Sequence, residues 1–296
     1  MAPKKTQVAT PSTIYPESAS LTPTCNPYLE YFTSFQKKQP KEMDRLFDPD
    51  LDDETRETLF NSVDDSIASK YSWAVPDERA LRIIKHYGPI VEMGAGTGYW
   101  GRLLQLRGVD IKCFDLHVPG EEKEEDDEEE EEERRTWMTV EKGTPEVLKK
   151  HKKRTLMLCY PDDYEDSEES MSLECLNNYS GDTVIHIGEL FGHTLCLPEP
   201  WGRTSSPEFQ MRLAAVFHKV LQVPLPSWHS SMDTLTVWKR TKTCIVDDGI
   251  YAYIPRDERL HMVMASESTE RLLHEDASDK NDDSAPPPSK KAKKSK

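Results

Sequence analysis

The stretch Gly88–Leu104, GPIVEMGAGTGYWGRLL, holds Gly94, Gly96 and Gly98, three of the chain's 13 glycines, within five positions. The apolar run IVEM at 90–93 reads as a strand, and the residues from Tyr99 onward have helical spacing. Gly-x-Gly-x-Gly therefore sits at the carboxyl end of a predicted strand and opens a helix. Glycines there let backbone amides approach a ligand, and the helix N-terminus favours negative charge. A dinucleotide fingerprint needs its third glycine one position later, where this chain has Tyr99. Asp115 ends the next predicted strand, VDIKCFD, 21 residues after Gly94, where a carboxylate can take both hydroxyls of a ribose. The two features together fit an adenosine-type ligand without a pyrophosphate.

Outward from this stretch, strand and helix alternate. DERALRIIKHYG (77–88) predicts a helix with Asp77 near its N-cap, and YWGRLLQLRG (99–108) a second. WMTVEKG (137–143) predicts a short strand and TPEVLKKHKK (144–153) a helix. TLMLCY (155–160) and DTVIHIGEL (182–190) predict strands flanking a helix at EESMSLECLNNYSG (168–181). SPEFQMRLAAVFHKVLQ (206–222) is helical at first, with Phe209, Leu213 and Val216 on one face. VPLPSW (223–228) and DTLTVWKR (233–240) predict two strands paired antiparallel, and IVDDGIYAYIPRDE (245–258) a hairpin turning at Asp248-Gly249. The alternation implies βαβ units and an α/β fold: a Rossmann-like, doubly wound, mostly parallel sheet with an antiparallel last strand. Residues 26–70 predict a helical N-terminal cap, with Leu59, Val63 and Ile67 on one face. Residues 1–25, rich in Ser, Thr, Pro and Lys, read as a disordered leader. The main domain then covers 71–265, and 266–296 reads as a disordered, Lys-rich tail.

The net charge of −16 is concentrated. Residues 121–133 hold twelve acidic residues and one lysine, leaving about −5 for the rest. So dense a run of like charge repels itself and reads as a solvated insertion, 119–135, between two strands. It offers a surface for a basic protein partner, while nucleic acid is not favoured without a basic face. The ending SKKAKKSK resembles a nuclear-localisation patch, so nucleus or cytoplasm is expected. No apolar run suggests a secretory signal or a membrane span. The six cysteines, Cys25, Cys113, Cys159, Cys175, Cys196 and Cys244, are scattered, so neither a disulfide framework nor a metal site is expected.

VEMGAGTGYWGRLLQLRGVDIKCFD (91–115) resembles the first two motifs of the class I S-adenosylmethionine-dependent methyltransferases. The resemblance runs from about Tyr71 to Arg240 and includes the late antiparallel strand pair of that family's sheet. It is similar to a subgroup with YSWA before the first helix and Cys-aromatic-Pro after the fourth strand. No acceptor comes with that likeness. It implies S-adenosylmethionine as cofactor. Glu92 would lie under the glycine loop, orient its backbone and meet the cofactor's amino group through water. Gly94 and Gly96 would flank the methionine carboxylate and ribose, Gly98 would turn the loop into the helix, and Asp115 would hold the ribose hydroxyls. Tyr71, with Trp73 in YSWAVP, would close over the cofactor, or else anchor the core. The acidic or amide residue that often follows the family's third strand is missing, because EKGTPE offers Gly143 and Thr144.

Methyl transfer from a sulfonium needs chiefly in-line alignment and exclusion of water. The acceptor site is expected at LCYPDDY (158–164). There the chain departs from the Asn/Asp-Pro-Pro-aromatic of enzymes acting on amide or base amines. Tyr160, Asp162 and Tyr164 are candidates to line the acceptor crevice, with Glu189 at the end of the following strand. The alternative for the loop is a polar turn whose Asp caps a helix. His186 or His193 is a candidate base, or a satisfied, partly buried ring. Cys159 lacks a recognisable activator and is not expected as a nucleophile. Two readings stand: a methyltransferase of unknown acceptor, and an inactive cofactor-binding scaffold that engages a basic partner through the acidic run. An NAD-dependent oxidoreductase is a third, disfavoured by Tyr99.

Overall fold

Four-residue β1 (Ile90–Met93) is buried on both faces and lies at the centre of a seven-stranded sheet. The computed structural model describes residues 13–64, 66–119, 135–162, 169–261 and 264–273. The chain divides into a unit spanning Met1–Arg259 and a second, Leu260–Lys296, whose described residues include a 3₁₀ turn at Glu270–Leu273.

The other strands of the sheet are β2 (Ile111–Asp115), β3 (Glu141–Lys142), β4 (Thr155–Cys159), β5 (Thr183–Gly188), β6 (Phe217–Pro224) and β7 (Thr234–Arg240). They stand in the order β3-β2-β1-β4-β5-β7-β6. β1 is parallel to β2 and β4, β2 to β3, and β4 to β5, whereas β7 runs antiparallel to both β5 and β6. This is the doubly wound α/β fold with an antiparallel last strand.

Alternation along the central strands sends side chains to two separate cores. Ile90, Met157, Ile185 and Ile187 pack in one; Val91, Met93, Leu156, Leu158 and Val184 pack in the other. The first core is roofed by helices α4 (Glu78–His86) and α5 (Tyr99–Leu106), which supply Leu81, Ile84, Leu103 and Leu104. The second is covered by α6 (Met171–Asn178) and α7 (Pro207–Val216), with Cys175, Leu176, Phe209 and Leu213. Asp77 caps α4 by accepting the Ala80 amide hydrogen at 2.6 Å. N-terminal to them in the chain lie α1 (Pro27–Lys38), α2 (Asp53–Phe60) and α3 (Ser66–Lys70).

Four expectations need correction. Residues 13–25 are not a disordered leader: Pro16–Ser20 forms a 3₁₀ turn, Tyr15 packs on the Trp137 ring at 5.0 Å, and the Ser18 hydroxyl donates to the Trp137 carbonyl at 2.5 Å. These long-range contacts offset the weak local propensity. The segment 206–222 is helical at first, through Val216, but the strand placed at 223–228 begins instead at Phe217. Pairing with β7 runs from Phe217 through Pro224, and Pro226 lacks the amide hydrogen to carry the ladder further. TPEVLKKHKK folds only as a 3₁₀ turn, Pro145–Lys150. The late hairpin, β8 (Lys242–Val246) and β9 (Gly249–Tyr253), turns at Asp247-Asp248 rather than Asp248-Gly249, both aspartates having positive φ (48° and 65°). Residues 120–134 of the acidic run and residues 274–296 of the tail lie outside the described residues.

Candidate functional site

The glycine loop leaves β1 at Met93 and enters α5 at Tyr99, and Gly94, Gly96 and Gly98 all take left-handed backbone (φ 69°, 54° and 70°). Only glycine adopts that conformation without strain in such succession. Gly96 is exposed, and a Cβ built there meets no atom within 4 Å, so open space lies above the loop. Gly98 is tighter, its would-be Cβ falling 3.0 Å from Val140 and 3.1 Å from Met138.

Asp115, at the end of β2, holds this loop. Its Oδ2 accepts the Gly96 amide hydrogen at 2.7 Å and its Oδ1 accepts that of His117 at 3.0 Å. Each carboxylate oxygen keeps acceptor capacity for a further donor. Glu92 does not orient the loop's backbone, contrary to expectation. In register between Cys113 of β2 and Met157 of β4, it is 2% exposed, and its Oε2 accepts from the Cys113 thiol at 3.3 Å. The physical reason is alternation: position 92 points into the core beneath α5, whereas the loop rises off the end of the strand. Burial pushes the Glu92 carboxyl up to about 8, its bond from Cys113 lowering it and the nearby Asp115 adding to the rise. Burial likewise drives the Cys113 thiol well above its ordinary range. Gly101 admits this pair under the helix, because a Cβ there would lie 2.4 Å from Cys113 Sγ and 3.3 Å from Glu92 Oε2.

Tyr71 reaches the loop through its backbone, its carbonyl accepting the Thr97 hydroxyl. Its ring stacks between Tyr28 (5.0 Å, 7°) and Trp137 (5.2 Å, 14°) and meets Tyr99 edge-on at 4.8 Å. Tyr71 is thus an anchoring aromatic. Tyr99, 1% exposed, donates its hydroxyl hydrogen to Asn26 Oδ1 at 3.0 Å and accepts the Tyr28 amide hydrogen at 3.2 Å. Asn26 caps α1. The residue that breaks the dinucleotide fingerprint therefore pins the first helix to the second half of the glycine motif.

At the ends of β4 and β5 lies a cleft of about 450 Å³, lined among others by Phe60, Trp73, Tyr160, Glu189, Arg203 and Trp228. Tyr160 carries left-handed backbone (φ 49°), unusual for an aromatic residue. Its amide donates to the Ile187 carbonyl at 3.0 Å, its ring stacks against Trp73 at 6.5 Å, and its hydroxyl donates to Asp233 Oδ1 at 2.5 Å. Asp233 is 2% exposed, and burial, with Glu189 nearby, pushes its carboxyl up to about 7, the Tyr160 and Ser231 hydrogen bonds opposing that rise. Glu189, also 2% exposed, accepts the Met232 amide at Oε1 and the Arg203 amide at Oε2, both at 3.1 Å.

Asp162 does not line the cleft. It is buried and accepts four hydrogen bonds, from the Ser172 amide (2.9 Å), the Ser170 hydroxyl (3.0 Å), the Ser172 hydroxyl (2.5 Å) and the Ser206 amide (2.8 Å). A carboxylate drawn to the N-termini of α6 and α7 satisfies orphan amides that an open crevice would leave to water. Tyr164 lies outside the described residues. His186 is fully buried against Phe209 at 5.6 Å, neither ring nitrogen has a hydrogen-bond partner, and burial lowers it to about 3. It is a neutral core ring, not a base. Cys159 is buried and its thiol is pushed well above its ordinary range, so no thiolate forms there near neutrality. All six cysteines are free, and among the described residues no cluster of three or more His, Cys, Asp and Glu is placed to hold a metal ion.

Sequence reasoning missed Asp233. It lies 73 positions from Tyr160, and only the antiparallel return of β7 brings them together. Its one local signal is its place as the first residue of a predicted strand, at the ligand-binding edge of the sheet.

No protein-family model matches the chain, and no curated protein sequence matches it. Among solved structures it is similar to the pyocyanin biosynthetic protein PhzM (14% identity, 72% of this chain and 67% of that one, TM-score 0.34). It is similar too to the glycopeptide N-methyltransferase MtfA complexed with S-adenosyl-L-homocysteine (12% identity, 63% and 97%, TM-score 0.34). A third likeness is the mitomycin 7-O-methyltransferase MmcR (12% identity, 72% and 67%, TM-score 0.32). These likenesses are too distant to carry an argument, and the fold rests on the strand order above.

Proposed function

We propose that the chain binds S-adenosylmethionine over the carboxyl ends of β1 and β2 and transfers its methyl group to an acceptor held in the cleft beside β4 and β5. The observation that carries this reading is the glycine loop itself: three left-handed glycines whose central amide is tied to Asp115. It lies at the switch point between β1 and β4, where the strand order reverses and open α/β sheets bind ligands. The cofactor loop and the cleft stand on adjacent strands, an arrangement suited to in-line transfer. Asp115 would hold the ribose hydroxyls while bracing Gly96. Glu92 would meet the cofactor's amino group only through water, and the cofactor would supply the electrophilic methyl. The resemblance in residues 91–115 agrees with this cofactor.

The NAD reading loses further ground, since Tyr99 is locked into an aromatic cluster where the fingerprint requires a third glycine. The scaffold reading gains no support from the geometry. The acidic run remains a proposed contact for a basic partner, and the lysine-rich end a proposed nuclear address; among the described residues no helix is long and apolar enough to cross a membrane.

Calorimetric titration with S-adenosylmethionine, S-adenosylhomocysteine and NAD tests the proposal. Binding of the first two at micromolar order, without NAD, is expected. Gly96→Asn should abolish it, because Asn tolerates left-handed backbone and fills the open space above the loop. Failure of both sulfur ligands to bind would overturn the proposal.

A further inference from the structure

We propose that Tyr160 and Asp233 form a proton-accepting pair at the cleft, and that the acceptor is a planar aromatic compound bearing an ionisable hydroxyl. This inference rests on the methyltransferase reading and names the substrate class of that same site.

Four observations converge. The Tyr160 hydroxyl, on a cleft-lining side chain, is hydrogen-bonded at 2.5 Å to a carboxylate that is itself almost wholly buried. Its left-handed backbone is a conformation an aromatic residue holds only at a cost, a kind of strain that clusters at functional sites. The cleft also exposes two apolar rings, Trp73 (61% exposed) and Phe60 (43%), as platforms for a flat ligand. Its volume of about 450 Å³ falls within the small-molecule range.

A hydroxyl is a poor nucleophile until it loses its proton, whereas an uncharged amine attacks a sulfonium first and sheds its proton late. A built-in proton acceptor is therefore of most use to a hydroxyl. In the balanced step, the acceptor oxygen attacks the methyl carbon and the carbon–sulfur bond breaks onto sulfur, leaving neutral S-adenosylhomocysteine. The acceptor's proton passes to the Tyr160 oxygen as the Tyr160 proton passes to the Asp233 carboxylate. Nothing is oxidised or reduced.

The groups facing Asp233 set when it can accept. They are the Tyr160 and Ser231 hydroxyls, the Ser227 hydroxyl that accepts the Asp233 amide hydrogen, and the negative Glu189, with Tyr28 and Cys159 further off. Among the described residues no lysine or arginine forms a salt bridge with Asp233. The carboxyl ionises at about 7, so acceptance switches on as pH rises through neutrality.

The test uses the full chain with phenol, catechol and 2-naphthol as probes, aniline and benzylamine as their nitrogen counterparts, and tritiated methyl from S-adenosylmethionine. Probe binding is read separately as tryptophan-fluorescence quenching that disappears in Trp73→Leu. The expected result is methylation of the hydroxyl probes alone, with kcat rising through about pH 7. Tyr160→Phe should lower kcat by about 100-fold or more, the range of a lost general base, with S-adenosylmethionine affinity within about twofold. Asp233→Asn should remove the rise with pH; if it fails to fold, Tyr160→Phe carries the same test. Cofactor binding without hydroxyl methylation, or methylation of the amines instead, would overturn the inference and leave the cofactor reading intact. If the cofactor itself does not bind, the methyltransferase reading falls, and absent quenching by the hydroxyl probes would separately overturn the aromatic site. A pH limb unchanged in Asp233→Asn would refute the pair.

Discussion

Replacing Glu92 with Gln should stabilise the protein at alkaline pH, and by an amount that the structure sets. Glu92 is wholly buried, and its hydrogen bond comes from a thiol, a weak donor. Its carboxyl ionises at about 8 in the folded chain and at 4.5 ordinarily. Below about pH 4.5 the group is protonated folded and unfolded, and it contributes no pH dependence. Between 4.5 and 8 only the folded state keeps the proton, so stability falls steadily as pH rises. Above 8 both states are ionised and the loss is complete, about 4 to 5 kcal/mol for a displacement of that size. Gln resembles the protonated form in shape and carries no charge. Urea melts of the unliganded protein and of Glu92→Gln at pH 5, 6.5 and 8 are the assay. The difference should be small at pH 5 and should grow to several kcal/mol in favour of the variant at pH 8. Parallel stability curves would refute the argument, since they would mean that Glu92 is ionised without penalty. A protein that keeps such a carboxyl in the core behind its ligand loop trades stability for something, and on our reading that is a water-bridged contact to the cofactor's amino group. Glu92→Gln should accordingly bind S-adenosylmethionine more weakly while melting later.

Asp115→Ala should weaken S-adenosylmethionine binding by about ten-fold or more by calorimetry, through loss of the proposed ribose bonds and of the brace on Gly96; unchanged affinity would remove its proposed role. Asp162→Ala should cost about 3 kcal/mol or more in urea melts, because four donors at two helix starts lose their acceptor. A cost under about 0.5 kcal/mol would show that water replaces it. Gly101→Ala should destabilise by about 1 to 3 kcal/mol despite alanine's better helix propensity, since its methyl would lie 2.4 Å from Cys113 Sγ and 2.8 Å from Met138 Sδ; Gly101→Ala combined with Cys113→Ala should recover part of that loss.

What the sequence made legible follows interactions that are local along the chain. The strand IVEM, the glycine triplet, Asp77 at its cap and Asp115 at the end of β2 could all be read from short spacings, and each lies where its spacing requires. What stayed hidden depends on distant partners. Asp162 reads equally well as a crevice acid or a helix cap until Ser206, 44 residues away, is brought against it. The start of β6 at Phe217 is concealed because Phe209, Leu213 and Val216 keep helical spacing up to the junction, and only pairing with β7 decides it.

Tyr99 joins the two kinds of information. At the level of sequence it is a defect in a dinucleotide motif, and it disfavours one cofactor. In the structure its ring closes a cluster of Tyr28, Tyr71 and Trp137 whose members come from α1, the segment after α3, and the approach to β3. Its hydroxyl reaches the cap of α1, and the Tyr71 carbonyl holds Thr97 in the glycine loop. The Tyr28 hydroxyl in turn accepts from Trp228, which lines the cleft at the ends of β4 and β5. A continuous set of contacts thus runs from the cofactor loop through Tyr99 and Tyr28 to the cleft wall. Shaving the ring with Tyr99→Leu should loosen both ends, so cofactor affinity and Trp73 quenching by a bound phenol should fall together. Loss of one with full retention of the other would show that the aromatic cluster is packing alone and does not join the two halves of the site.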